Sequence, residues 1–200
     1  GAGSLKVNSR YVNAIEVRET LSMQGGTIET DAYDSGVSPI KANSLVITGG
    51  EIQANKGHTY GTATNIVDTL KIYGGSFRSN YMVDVGGNYE QQGGEFSISS
   101  NLNVDKNIIS SGGTAKANQI ISKKNITVSN SGCLQPAMAL SSDGDLTNNG
   151  GSILAARDIF VKGKLTQTGG ETKALGEYRY GNAMKAITVG DAIENAGGEI

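Results

Sequence analysis

The stretch Leu146-Thr147-Asn148-Asn149-Gly150-Gly151-Ser152-Ile153 is followed, 19 residues later, by Leu165-Thr166-Gln167-Thr168-Gly169-Gly170-Glu171-Thr172. A Gly-Gly doublet of this kind recurs along the whole chain. From residue 74 to residue 169 its spacing is 19 residues throughout, and Ser131-Gly132 replaces the Gly-Gly doublet at one of these positions. A pattern repeated at a fixed period of this length is typical of a solenoid, in which each repeat packs only against its neighbours. The period therefore predicts about nine stacked coils.

Apolar residues keep fixed distances from each doublet. One lies two positions after its second glycine, another four before its first glycine and a third ten before it, as in Ile153, Leu146 and Leu140. Alternation such as Ile159/Val161 has the period of two expected of a strand with one buried face. No window sustains the spacing of three and four that a helix needs. We therefore expect an all-β fold: a single-stranded parallel β-helix with three short strands per coil and right-handed winding, the commoner hand for such connections.

This register also assigns individual positions to the core. Ile121 belongs to the series ten before the doublet, whereas Tyr89 and Thr127 interrupt the series four before it. The glycines are expected at a corner between strands, where a positive φ or the close approach of a neighbouring repeat leaves no room for a side chain. The core would then consist of columns of like residues, one from each repeat.

Length, charge and composition indicate the number of domains and argue against several classes of protein. The unbroken repeat over 200 residues predicts one domain spanning residues 1–200, and the net charge of −2 gives no general attraction to nucleic acid. No apolar run approaches the ~20 residues of a membrane span. The single Cys133 excludes an internal disulfide, and the single His58 excludes a site of several histidines. Because both ends interrupt the repeat without a polar cap, we expect a segment of a longer solenoid or a unit that associates end to end.

Two stretches carry a resemblance to known families. Pro39-Ile40-Lys41-Ala42-Asn43-Ser44-Leu45-Val46-Ile47-Thr48-Gly49-Gly50-Glu51-Ile52-Gln53-Ala54 resembles secreted carbohydrate-binding β-helix proteins of the pectate-lyase-like type. Asp145-Leu146-Thr147-Asn148-Asn149-Gly150-Gly151-Ser152-Ile153-Leu154-Ala155 is similar to the 19-residue repeats of filamentous-haemagglutinin-type adhesins. The resemblance implies an extracellular bacterial protein that adheres to surfaces or binds glycans. It carries no active-site motif onto particular residues.

Four repeats are longer than 19 residues, with their extra residues near 8–12, 30–38, 55–63 and 175–184. Loops on a rigid scaffold are where binding concentrates, and tyrosine rings beside charged groups suit the apolar face and the hydroxyls of a sugar. The alternative is that these corners simply tolerate insertions and that tyrosine covers the end of the core. The predicted ligand-binding residues are Arg10, Tyr11, Asp31, Tyr33, Asp34, His58, Tyr60, Tyr178 and Tyr180.

Other chemistries have weaker support. Asp31 and Asp34, with Asp143-Gly144-Asp145, raise the question of calcium, but they fall short of a dense calcium-binding loop, so we expect no cofactor and leave calcium open. Hydrolysis of a polysaccharide would need two paired carboxylates, and elimination a basic side chain. Residues that could serve are interpreted as an ordinary solvated face: Asp84, Asp105, Glu16, Arg18 and Lys41.

The sequence therefore favours a non-catalytic adhesin or carbohydrate-binding segment of a bacterial surface or secreted protein. Its expected partner is a polysaccharide or a host-surface glycan. A structural spacer or fibre-forming unit is the alternative, and a polysaccharide lyase or glycosidase is less favoured.

Overall fold

The computed structural model describes residues 3–32, 36–54, 63–176 and 186–200. These residues form strands and turns and contain no helix, so none of them belongs to a helix long and apolar enough to cross a membrane. In chain order the strands are β1 (Ser4–Ser9), β2 (Ile15–Met23), β3 (Thr27–Ala32), β4 (Ile40–Ile47), β5 (Glu51–Ala54), β6 (Thr64–Ile66), β7 (Leu70–Ile72), β8 (Ser76–Ser79), β9 (Val83–Val85), β10 (Tyr89–Ile98), β11 (Leu102–Val104), β12 (Ile108–Ser122), β13 (Ile126–Ser129), β14 (Cys133–Ser142), β15 (Leu146–Ala155), β16 (Asp158–Val161), β17 (Leu165–Ala174), β18 (Ile187–Val189) and β19 (Ile193–Asn195).

Neighbouring strands run parallel, and equivalent residues of successive repeats lie side by side. Phe77 of β8 pairs with Phe96 of β10, and Leu146 of β15 pairs with Leu165 of β17. Like residues therefore stack on like residues across the sheet. The prediction of an all-β fold with parallel strands is confirmed.

The predicted single-stranded, right-handed β-helix of about nine coils is wrong. Seven parallel strands pair in a ring that closes on itself, in the order β4, β7, β10, β12, β11, β9, β6 and back to β4. The architecture is a closed parallel barrel, and the other strands extend the same sheet.

The ring closes because two strands are longer than the repeat pattern predicts. Strand β12 runs through the doublet, where Gly113 adopts a φ of 74°, and it pairs with β10 as far as Lys116 and with β11 from Ile120 onward. Strand β4 likewise pairs with β6 through Ala42 and with β7 through Leu45. The doublet was expected to separate strands. It does so at Gly25-Gly26, Gly49-Gly50 and Gly74-Gly75, whereas in β10, β12, β15 and β17 the strand continues through it.

The core consists of the predicted columns of apolar side chains, with three aromatic rings in the two neighbouring strands β8 and β10. Phe77 and Phe96 stack with ring centroids 5.3 Å apart, and Tyr89 meets Phe96 edge-on at the same distance. All three side chains are fully buried, so Tyr89 belongs to the core and does not interrupt it as expected. Fully buried leucines at the predicted positions include Leu45, Leu70, Leu146 and Leu165.

Two core assignments are off by one residue. Ile120 is fully buried, whereas Ile121 faces outward, and Ile126 occupies the core beside the predicted exception Thr127. Ile126 pairs with Leu146 across the sheet, although these residues are 20 positions apart rather than 19. Because successive side chains point to opposite faces, a local change of one residue in the spacing reverses which member of the pair is buried.

A row of amide and carboxylate side chains supports one corner, which the sequence analysis did not predict. The backbone N–H of Asn107 donates to Asn88 Oδ1 (3.1 Å), and that of Asn125 donates to Asn107 Oδ1 (3.2 Å). The N–H groups of Asp145 and Lys164 continue the row, each donating to the side-chain oxygen of the preceding member at 2.9 Å. These bonds satisfy turn N–H groups that have left the sheet.

The buried Tyr89 makes stability sensitive to high pH. Its hydroxyl donates to Gln91 Oε1 (2.9 Å), and burial raises the pKa of Tyr89 well above its usual value of 10.0. Below pH 10 the Tyr89 hydroxyl is protonated in both the folded and the unfolded state. Above pH 10 the unfolded chain loses this proton before the folded one does, so the free energy of unfolding is expected to fall as the pH rises past about 10. Urea denaturation at pH 8 and at pH 10.5 should show a smaller alkaline loss in Tyr89→Phe than in the wild type.

The same substitution has an effect at neutral pH. Tyr89→Phe leaves the buried Gln91 oxygen without its phenolic donor, so the free energy of unfolding should fall by about 1–2 kcal/mol at pH 7. Tyr73→Phe is the matched control, because the Tyr73 side chain is exposed. Equal alkaline losses in all three proteins would contradict the assigned role of Tyr89.

Candidate functional site

A groove of about 540 Å³ lies on the outer face of β6, β9, β11 and the end of β12. It contains both hydrogen-bonding and apolar side chains. The polar residues that line it are Asn65, Asp84, Asn103, Asp105 and Lys123.

Strand alternation places the first row of these polar groups. Ile66, Val85 and Val104 are buried in the core, so the residues just before them point outward. Parallel register then sets Asn65 beside Asp84 and Asp84 beside Asn103. The result is a row of amide, carboxylate and amide on three adjacent strands, which lie ~4.8 Å apart. The Asn103 amide donates to Asp84 Oδ1 at 2.7 Å and fixes the orientation of both groups.

A second row lies two residues further along the chain. Lys123 Nζ is 2.6 Å from Asp105 Oδ1, and the hydrogen bond and charge of Asp105 raise the pKa of Lys123. Gly86 lines the groove between Val67 and Asp105 without adding a side chain. A Cβ atom at Gly86 would lie 2.3 Å from the Val67 carbonyl oxygen, so this part of the groove requires glycine.

This arrangement suits a ligand that has many hydroxyl groups. Carboxylate oxygens accept, the Lys123 ammonium donates, and the amides of Asn65 and Asn103 can do both. The apolar wall is formed by Val67, which is 55% exposed, and by Ile121. A concave surface with a few oriented polar groups and some apolar wall is the usual composition of a small-ligand site.

The structure places three of the predicted ligand-binding residues. The Arg10 guanidinium lies 5.3 Å from the centre of the exposed Tyr11 ring, so one face of that ring is covered by a cation. Asp31 is buried in β3 at 6% exposure. None of these three residues lines the groove. The other predicted residues lie outside the described residues, and the loop site stays a prediction: Tyr33, Asp34, His58, Tyr60, Tyr178 and Tyr180.

The residues of the groove were not predicted as a site. Asp84 and Asp105 were interpreted as parts of a solvated face, but the structure brings both into one concave surface. Glu16 and Lys41, which were weighed with them, form an ion pair at 3.5 Å on the neighbouring strands. The available signal was the 19-residue spacing of Asn65, Asp84 and Asn103.

The described residues contain no group of three or more acidic, histidine or cysteine side chains that could hold a metal ion. Asp143 pairs with Lys162 at 2.6 Å, and Asp145 accepts the Lys164 N–H. Cys133 is partly buried, and burial raises the pKa of its thiol, which disfavours the reactive thiolate.

Comparison with known proteins identifies the family. Neither the curated proteins nor the solved structures that were compared matched the chain. A family model described as carbohydrate-binding domain-containing protein matches residues 1–159, a range that includes every residue lining the groove. The chain therefore belongs to the family of carbohydrate-binding domain-containing proteins.

Proposed function

We propose that this protein binds a glycan chain in the groove formed by Asn65, Asp84, Asn103, Asp105 and Lys123, without catalysing a reaction on it. Membership of the family supports a carbohydrate-binding role and a carbohydrate partner. The observation that supports the groove is the pair of polar rows, because their side chains are oriented by each other before any ligand arrives. Preorganised hydrogen-bonding groups reduce the entropy lost on binding.

A binding role without catalysis agrees with the contacts in the groove. Asp105 is engaged by Lys123 and Asp84 by Asn103, as expected of groups held in one arrangement to recognise hydroxyls. The resemblance of the repeats to those of secreted glycan-binding proteins and adhesins supports an extracellular or cell-surface location in a bacterium.

The groove can be tested by removing its hydrogen-bonding groups. We expect the triple variant Asn65→Ala, Asn103→Ala, Asp105→Ala to bind its preferred glycan at least about tenfold more weakly than the wild type, because each lost hydrogen bond contributes roughly 0.5–3 kcal/mol. A panel of immobilised polysaccharides identifies that glycan, and titration calorimetry with a soluble oligomer measures the dissociation constant. Circular dichroism checks that the variant retains its β structure.

The matched control removes polar groups from another outward face. Ser97, Lys116 and Gln135 are neighbours on β10, β12 and β14 and lie outside the groove. The triple variant Ser97→Ala, Lys116→Ala, Gln135→Ala should bind as the wild type does. Loss of binding in Tyr11→Ala with full binding in the groove variant would move the site to the predicted loops. Failure of the wild type to bind any glycan on the panel would favour the alternative function, a structural spacer or fibre-forming unit.

A further inference from the structure

The charges around Asp84 suggest which glycans the groove accepts. Three of the described residues that line it are charged. Asp105 and Lys123 form an ion pair, which leaves Asp84 as the source of a net negative charge among them. Asp84 is flanked in its row by the amides of Asn65 and Asn103, and its described hydrogen bond comes from the uncharged Asn103. Lys41, beside Asn65, is paired with Glu16, and Lys123, whose charge also acts on Asp84, is paired with Asp105 at 2.6 Å.

We infer that the groove prefers a glycan with protonated amino groups and that Asp84 sets this preference, an inference that rests on the proposed function. A protonated amine would give the Asp84 carboxylate a directly bonded cation, because the Asn103 amide is neutral and Lys123 is bonded to Asp105. An ammonium group adds the attraction of opposite charges to its hydrogen bond with the carboxylate, whereas the neutral amide of an acetylated sugar makes only the hydrogen bond. An anionic sugar such as a uronic acid would instead meet a like charge, which costs affinity.

The geometry supports recognition of this kind. Asn103 holds one carboxylate oxygen of Asp84 at 2.7 Å, so the carboxylate is oriented before the ligand arrives. Asp84 is partly buried in a concave surface, where an ion pair is screened less by salt than on an open face. Asn65, Asp105 and Lys123 would form hydrogen bonds with the hydroxyls of the same sugar chain.

The experiment compares three oligosaccharides of equal length by titration calorimetry at low ionic strength with a chelator present. They are oligomers of glucosamine, of N-acetylglucosamine and of galacturonic acid. The wild type should bind the glucosamine oligomer about tenfold more tightly than the acetylated one, and the galacturonic acid oligomer most weakly. In Asp84→Asn, which retains the shape and an acceptor for Asn103, the ratio of the first two affinities should fall to near one.

A second acidic variant controls for general attraction between a cationic glycan and the protein. Glu95 is paired with Arg78 outside the groove, so Glu95→Gln should keep the tenfold ratio. Loss of the ratio in both variants would overturn the role of Asp84, as would a wild-type ratio near one. Tightest binding of the galacturonic acid oligomer, with the chelator or with calcium in its place, would overturn the charge preference. Any of these results with binding still lost in the Asn65, Asn103, Asp105 variant leaves the proposed function standing. Binding of none of the three oligomers would overturn the preference for amino groups alone, because the polysaccharide panel tests the proposed function separately.

Discussion

Replacing Phe96 with alanine is expected to lower the free energy of unfolding by about 3–5 kcal/mol. Phe96 is fully buried, and its ring packs against Phe77 and Tyr89, both with ring centroids 5.3 Å away. The substitution removes both aromatic contacts and leaves a cavity between stacked strands. These strands cannot close the cavity without breaking their parallel hydrogen bonds to the neighbouring repeats. Urea denaturation followed by circular dichroism measures the loss.

Phe160 provides the matched control for this prediction. Its side chain is 42% exposed on β16, so Phe160→Ala should change the free energy of unfolding by less than about 1 kcal/mol. Similar losses in the two variants would mean that the ring of Phe96 is not in the core and that the register of β10 is wrong.

Replacing Gly113 with alanine should cost about 3 kcal/mol. Gly113 has a φ of 74°, a region in which a Cβ atom is strained by roughly 1–2 kcal/mol. The added Cβ would also lie 2.5 Å from backbone atoms of Gly93 and Gly94 in the preceding repeat. Because those atoms belong to the paired strand β10, they cannot move without disturbing the sheet. Thermal and urea unfolding of Gly113→Ala measure the effect.

Gly25→Ala is the control for this second prediction. No atom lies within 4 Å of a Cβ built on Gly25, and its φ is not positive. This variant should keep the stability of the wild type to within about 0.5 kcal/mol. Tolerance of alanine at Gly113 equal to that at Gly25 would show that neighbouring repeats approach each other less closely at this doublet than the structure indicates.

The groove shows how far a repeat pattern can predict a site. The spacing of Asn65, Asp84 and Asn103 matches the period, so their adjacency follows from the sequence once parallel pairing is assumed. The concavity does not follow, because it requires Gly86 to leave space beside Val67 and the pair Asp105 and Lys123 to form its side. The sequence pattern favoured the insertions as the binding site, because the outward positions of regular strands are usually charged whether or not they bind anything.

The sequence by itself determined the strands, their parallel pairing and most of the buried columns. The alternation of apolar residues, as in Leu102 and Val104, predicts which face of a strand is buried. The 19-residue repeat predicts which strands are neighbours. Both are local properties that each repeat carries in its own residues. The repeat pattern does not predict that Ile120 and Ile126, rather than their chain neighbours, face the core. That choice depends on how a repeat of altered length pairs with the repeats on either side.

Only the tertiary structure decided that the sheet closes. A repeat period requires each strand to pair with its equivalent in the next repeat, and both an open helix and a closed barrel satisfy that requirement. Closure depends on whether the backbone remains hydrogen-bonded through the corners, as it does in β4 and β12. That outcome is set by contacts between residues of different repeats, among them the close approach of Gly113 to Gly93 and Gly94. The free energy of such contacts depends on the whole assembled sheet, and no single repeat contains the information to predict it.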